Sequence, residues 1–221
     1  MFIPSEAIKF GWEKMKKHFW FFVGLLILSW LIQIVPTGIA DIFKQKMVVL
    51  YVILVIAAWV IQIIVKMGII KITLDVVDKE ETNLNALFSQ TELLGKFILG
   101  GILYGLIVVA GLILFIVPGF ICAIKYQFFS YLIVDKKMGP LEAIKKSGEI
   151  TAGNKGKLFW LIILVILINI AGAICLLVGL FATIPTTMLA MAYVYRKLMG
   201  EAVSSEAVGL SENNAISKSV N

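Results

Sequence analysis

The chain is poor in nearly everything from which soluble catalytic sites are built. It has one histidine, two cysteines and 15% charged residues, where a soluble domain carries about a quarter. With no acidic cluster beside that one histidine, a metal-dependent hydrolytic centre is excluded, and no nucleophile elbow, phosphate loop or metal-ligand spacing occurs. Neither enzymatic activity nor a cofactor is expected. Cys122 and Cys175 both fall in apolar runs, where they read as small buried hydrophobes and not as a disulfide framework. His18 opens an apolar run and reads as an interfacial residue.

Arginine is scarce as well: nineteen of the twenty basic residues are lysine. The net charge of +6 therefore does not signal a nucleic-acid partner, because the bidentate guanidinium contacts to phosphate and guanine are missing. Basic loops on one side of a membrane account for the excess.

Apolar residues are what the chain does have. They make up 60% of it, and the mean hydropathy is +0.97. Runs long enough to cross ~30 Å of hydrocarbon at ~1.5 Å per residue predict an all-α integral membrane protein. Six transmembrane helices are expected near 19–40, 47–66, 97–117, 119–135, 158–180 and 182–198. The first run follows a basic stretch, as in a signal peptide, but it is too long for an h-region and Gly38-Ile39-Ala40 is a poor cleavage site. With these spans, 17 basic residues lie on one side and only Lys44 and Lys46 on the other, which makes both termini cytoplasmic.

The five prolines expose a pattern. Pro36, Pro118 and Pro185 are expected at the tips of hydrophobic hairpins. Pro4 and Pro140 precede Ser5-Glu6-Ala7-Ile8-Lys9 and Leu141-Glu142-Ala143-Ile144-Lys145. Each apolar stretch opens on a lysine–aromatic signal, at Lys17-His18-Phe19-Trp20, Lys96-Phe97 and Lys157-Leu158-Phe159-Trp160. The expected unit is an amphipathic interfacial helix followed by a transmembrane hairpin. Three tandem repeats (about 1–78, 79–138 and 139–199) form a single membrane domain, 1–199, and 200–221 is expected to be a disordered cytoplasmic tail. On helical wheels Glu142, Lys145, Lys146 and Glu149 share one arc. Ile8, Trp12 and Met15 oppose the charges of 5–18, with Phe10 on the charged side, and Leu84, Leu87, Phe88 and Leu94 form a third stripe.

One span carries a cation. In 119–135, eight apolar residues at roughly −0.3 to −0.6 kcal/mol each barely offset a central lysine at about +2.5 to +3.5, so Lys125 and Gln127 require the helix to enter as a hairpin with 97–117. The Gly101/Gly105 pair of that partner suits close helix approach. Asp135, the last residue of that span, lies about 15 Å from Lys125 at ~1.5 Å per residue, so no acidic residue inside a span is placed to pair with it. Its partners are sought in Tyr126, Tyr104, Gln127, backbone carbonyls or an anionic lipid or substrate, unless the side chain snorkels outward. Lys125, Tyr126 and Gln127 are the candidate anion or lipid contact.

Pro118-Gly119, Lys125-Tyr126, Tyr131-Leu132-Ile133-Val134-Asp135, Gly139-Pro140-Leu141-Glu142-Ala143-Ile144-Lys145-Lys146-Ser147 and Gly153-Asn154-Lys155 together carry a resemblance over roughly residues 80 to 198. The sequence resembles a broad family of uncharacterised prokaryotic multi-spanning membrane proteins, similar to the membrane domain fused to some glycerophosphoryl diester phosphodiesterases. The resemblance implies a prokaryotic plasma membrane and no catalytic residues. Two functions stay open. One is a non-enzymatic organiser of membrane lipids or of a protein partner, a second copy of the chain included, at the cytoplasmic face. The other is a transporter or channel for an anion or lipid. Missing intramembrane carboxylates and unwound helices speak against coupled transport, while an internal repeat speaks for it.

Overall fold

The computed structural model describes residues 2–43, 47–175 and 178–200, and these are helical or in turns, with no strand among them. The chain runs α1 (Pro4–Lys17), α2 (Phe19–Phe43), α3 (Val48–Lys79), α4 (Leu94–Leu114), α5 (Ile116–Tyr126), α6 (Phe129–Lys136), α7 (Pro140–Ile150), α8 (Lys155–Ile174) and α9 (Leu180–Met199). Two short 3-10 turns, Leu84–Phe88 and Thr91–Leu93, precede α4. Of the tail expected at 200–221, Gly200 caps α9 in a left-handed conformation; residues 201–221, like Lys44 and Lys46, lie outside the described residues.

Five helical segments are long and apolar enough to cross a membrane: in α2, in α3, through the turns into α4, in α5–α6 and in α8. Their outward faces explain the composition. Trp20, Val49, Ile113, Phe115 and Ile174 are each more than 70% uncovered by protein, an apolar belt that only hydrocarbon accommodates. The chain is a helical membrane protein. α9 falls short of the five in apolarity, because it carries three threonines, two tyrosines, Arg196 and Lys197. Nine of its residues are buried, so the polarity is covered by neighbouring helices.

The structure corrects the sequence reading at several points. The inner end of the second span is open in the sequence, because Ile69, Ile70, Ile72 and Leu74 continue the apolar run past Lys66; α3 takes the longer course, one helix of 32 residues, about 48 Å at ~1.5 Å per residue, with Lys66 well inside it. Pro36 and Pro185 lie within α2 and α9, not at hairpin tips; only Pro118, in the first turn of α5, sits beside its turn. Around Pro185, Thr186 and Thr187 donate to the carbonyls of Ala182 (2.7 Å) and Ile184 (2.9 Å), the kind of compensation that lets a membrane helix keep a proline. Cys175 is exposed at the end of α8 and not buried, since the chain turns there; Cys122 is half-buried, and both are free.

The short segments depart most instructively. The buried face of α1 is Ala7, Phe10, Gly11, Lys14 and Met15, a face turned from the expected one. Small residues decide it: Ala7 and Gly11 let α1 press onto α9, and a Cβ on Gly11 would stand 2.2 Å from the Thr186 carbonyl oxygen. Phe10 then stacks on Tyr193 at 4.5 Å, and Trp12 is left 43% exposed. α7 buries Ala143, Ile144, Ser147 and Gly148 against α4, α5 and α6. Between α3 and α4 no α-helix forms. Asn83 accepts from the Asn85 N–H and the Ser89 hydroxyl donates to Ala86, local bonds that compete with a helical ladder. Only Leu87 and Leu93 of that stretch are buried, and Leu87 reaches Gly68 of α3 so closely that a Cβ there would be 2.1 Å from its carbonyl oxygen.

Each short segment thus packs on other helices of the chain: α1 on α9, the 84–88 turn on α3, and α7 on α4, α5 and α6. Their apolar faces meet protein. Substitution of Gly11 or Gly68 by alanine should lower the melting temperature of the detergent-purified protein by the equivalent of about 1–3 kcal/mol of overpacking. Gly101→Ala, where nothing lies within 4 Å, should leave it unchanged; equal effects at all three sites would refute the packing account.

Candidate functional site

Lys125, Tyr126 and Gln127 mark the end of α5, where the expected continuous span breaks. The backbone leaves the helix at Gln127 and Phe128 and re-enters it as α6. Such a break inside apolar surroundings must satisfy its freed backbone groups, and α7 does so. Ser147 accepts from the Phe128 N–H at 3.2 Å and donates to the Lys125 carbonyl at 3.1 Å; Thr151 donates to the same carbonyl at 2.9 Å. Ser147 and Thr151 are fully buried. Gln127 keeps right-handed helical dihedrals (φ −59°, ψ −26°) and Phe128 departs from them (φ −88°, ψ 5°), so this is a local break and not an unwound helix. Its signal was present but ambiguous, because a serine and a threonine four residues apart on a charged helix usually mean no more than helix surface.

The Lys125 ammonium lies 4.9 Å from the Tyr126 ring centroid, and its side chain crosses α7 at Gly148. No carboxylate pairs with it among the described residues. Tyr104, considered as its partner, instead donates to the Ala123 carbonyl at 3.2 Å. The Gln127 side-chain amide is buried and its nitrogen has no partner. Of the three candidate residues the structure joins Lys125 and Tyr126 directly, and Gln127 turns away as an unsatisfied buried donor.

The strongest polar feature is one that sequence reasoning missed. The single arginine, Arg196, is held between two aspartates from distant parts of the chain. Its Nε and Nη2 donate to Asp78 at 2.8 and 2.6 Å, and its Nη1 and Nη2 donate to Asp135 at 2.7 and 2.8 Å. The Tyr195 hydroxyl donates to Asp135 at 2.9 Å, and Lys136 lies 3.5 Å from it. Two carboxylates, one guanidinium and one ammonium sum to zero charge. The group ties the ends of α3, α6 and α9, and the rings of Tyr195, Tyr131 and Phe128, tilted or edge-on to one another, pack beside it. A guanidinium can present parallel N–H pairs to two carboxylates and an ammonium cannot. The count of one arginine among twenty cations was the available signal.

A second charged junction fastens the start of the chain. Glu80, in a left-handed conformation just after α3, accepts from both Lys14 and Lys17 of α1. Those hydrogen bonds hold its carboxyl down to about 2.

Comparison with known proteins adds relatives but no activity. Over 135 residues, 60% of its length, the chain is 31% identical to the uncharacterised protein Rv2560 of Mycobacterium tuberculosis H37Rv. The same figures hold for the uncharacterised proteins Mb2590 of Mycobacterium bovis and MT2637 of Mycobacterium tuberculosis CDC 1551. The matched part covers 41% of each relative. No family model matches the chain, and no solved structure matches it.

Two measurements test these junctions. Arg196→Ala leaves Asp78 and Asp135 facing each other and should destabilise the protein by about 3–5 kcal/mol, the usual loss when one partner of a buried pair is removed; Arg196→Lys should recover little of it. For Glu80 the sign follows from its lowered folded-state value. Its stabilisation is complete above the ordinary glutamate value of about 4.3 and is lost as the pH falls through about 2. Acid unfolding of Glu80→Gln should lack that component of the wild-type profile; superimposable profiles would refute the assignment.

Proposed function

We propose that the protein is a non-enzymatic, multi-pass protein of a prokaryotic plasma membrane that organises anionic lipid at the cytoplasmic face, with both termini on that side. The observation that carries this reading is the outer surface of the short segments. Lys9, Lys16 and Lys145 are exposed on α1 and α7, next to uncovered Trp12 (43%) and Leu141 (57%), and Phe88 (52%) is uncovered on the 84–88 turn. A cation beside an uncovered apolar side chain suits the boundary between headgroups and hydrocarbon, where each basic residue near an anionic surface contributes about 1 kcal/mol.

The reading includes α9 as a sixth span and three tandem repeats. Supporting the repeats, Pro4, Glu6, Ala7, Lys9 and Glu13 recur as Pro140, Glu142, Ala143, Lys145 and Glu149, always 136 positions apart. Each short segment also rests on the second long element of another unit. Kinship with the membrane domain fused to some glycerophosphoryl diester phosphodiesterases belongs to the same proposal.

A second reading, a transporter or channel for an anion or lipid, is favoured by the broken helix at 127–128 and the unpaired cation beside it.

The test uses protein in liposomes containing neutral and anionic phospholipid. Energy transfer from its tryptophans to labelled lipid should report enrichment of the anionic lipid. Enrichment should fall in Lys9→Gln/Lys16→Gln/Lys145→Gln and at high salt; identical transfer to both lipids would remove the leading reading. Anion flux or lipid exchange between leaflets, lost in Lys125→Ala, would establish the second reading instead.

A further inference from the structure

A cavity of about 480 Å³ lies between α2, α3, α6 and α9, within the size range of small-ligand sites. Its wall is mostly apolar, with Trp59 and Ile63 of α3 prominent, yet six polar side chains line it. Gln33 of α2 and Thr73 of α3 are tied to backbone carbonyls; the other four are Gln62 and Lys66 of α3, and Ser130 and Tyr131 of α6. The four have something in common. None makes a hydrogen bond or ion pair with any described residue. Other polar side chains in the helices are tied to backbone carbonyls, Gln33 to Ser29 and Thr73 to Ile70 at this same cavity, Ser29 to Leu25 and Thr186 to Ala182 away from it. Single unpartnered atoms occur elsewhere, on His18, Gln127, Asn169 and Thr183, but four polar groups with no protein partner meeting at one cavity mark a place where the partner is not protein.

The chemistry of the four selects the ligand. Lys66 supplies a positive charge, Gln62 an amide donor, and Ser130 and Tyr131 hydroxyl donors. No carboxylate lines the cavity. A donor-rich, cationic group of this kind suits an oxyanion.

Its placement selects an amphiphile. Taking the hydrocarbon as ~30 Å thick and starting at Val48, the core ends about 20 residues along α3, which puts Lys66 at the level of the headgroups on the side of the termini. Ser130 lies five residues before Asp135, as Thr73 lies five before Asp78, and Arg196 holds those aspartates side by side. The polar end of the cavity therefore points to that surface, and the end at Trp59 and Ile63 points to the bilayer centre. Snorkelling does not relieve Lys66. A helical side chain leans toward the N-terminus of its helix, which in α3 is toward the bilayer interior. Trp59 is 52% exposed and Lys66 is exposed, so the cavity is open to what surrounds the helices.

We infer that this cavity seats the headgroup of one anionic phospholipid of the cytoplasmic leaflet, with its phosphate on Lys66 and Gln62, the rest of the headgroup toward Ser130 and Tyr131, and an acyl chain along Trp59 and Ile63. The site deepens the lipid-organising reading and rests on its orientation, but it is separate from the surface lysines. A seated lipid is stoichiometric and resistant to salt, whereas surface enrichment is screened by it.

Native mass spectrometry of the delipidated full chain, titrated in detergent with short-chain phosphatidylglycerol, phosphatidylcholine and inorganic phosphate, tests the site. The wild type should take up one phosphatidylglycerol, retained at high salt, and bind phosphatidylcholine and phosphate far more weakly. Lys66→Met should weaken that uptake by about tenfold or more, the value of one charge-assisted hydrogen bond, and Lys66→Arg should retain it. The Lys9→Gln/Lys16→Gln/Lys145→Gln protein should bind this one lipid as the wild type does, so loss of surface enrichment and loss of the seated lipid are distinguishable. If Lys66→Met does not fold, Gln62→Leu/Ser130→Ala takes its place with the same expected direction. Equal uptake of the two lipids, undiminished uptake in the cavity variants, or phosphate binding as tightly as the lipid would overturn the proposal.

Discussion

The fold depends on one guanidinium shared by two carboxylates. Asp78 and Asp135 end the two helical runs that come first, and Arg196 stands near the end of the last. Their mutual repulsion would part α3 from α6; with Arg196 between them it becomes the reason those helices meet. Apolar packing in a membrane gives little preference for one helix partner over another, because lipid tails are as apolar as leucine. A charge group with one complete pairing supplies that preference, at a contact where Arg196 itself is 5% exposed. The rings of Tyr131 and Tyr195 beside it keep the geometry dry and fixed.

Around this junction, small residues set how closely the rest can approach. Gly11, Gly68 and Gly148 each sit where a short segment touches another helix, α9, α3 and α5 in turn, and α1 and α7 turn apolar residues inward there. This inward packing changes the meaning of the amphipathic stretches. They are clasps between distant parts of the chain first, and only their remaining outer residues meet the membrane boundary. The break between α5 and α6 follows the same economy of partners: α7 is close enough for Ser147 and Thr151 to replace the hydrogen bonds the helix gives up.

The apolar runs made the membrane helices readable in the sequence, because length and hydropathy alone decide whether a segment can span. The same criterion left the inner end of α3 open past Lys66 and could not foresee the break at Gln127, since neither is a matter of average hydropathy. Lys125 stood out as a cation in an apolar stretch, and the structure gives it an aromatic neighbour and no counter-ion among the described residues. Arg196, Asp78 and Asp135 did not stand out. Each lies at the end of a run, where a charge is ordinary, and their significance comes from residues 57 to 118 positions apart being brought together, which no local pattern encodes. The facing of α1 was misread for a similar reason: Phe10 belongs with Tyr193 and Lys14 with Glu80, and neither pairing is visible on a wheel drawn for α1 alone.

The contact of α1 with α9 joins the first described helix to the last of them. A ribosome delivers the chain from one end only, so α1 is made before its partner exists, and Phe10 must wait for Tyr193. Asp78 and Asp135 wait likewise for Arg196, which the ribosome adds after both. A chain stopped before α9 therefore carries two carboxylates without their guanidinium and an α1 that lacks the helix it packs on.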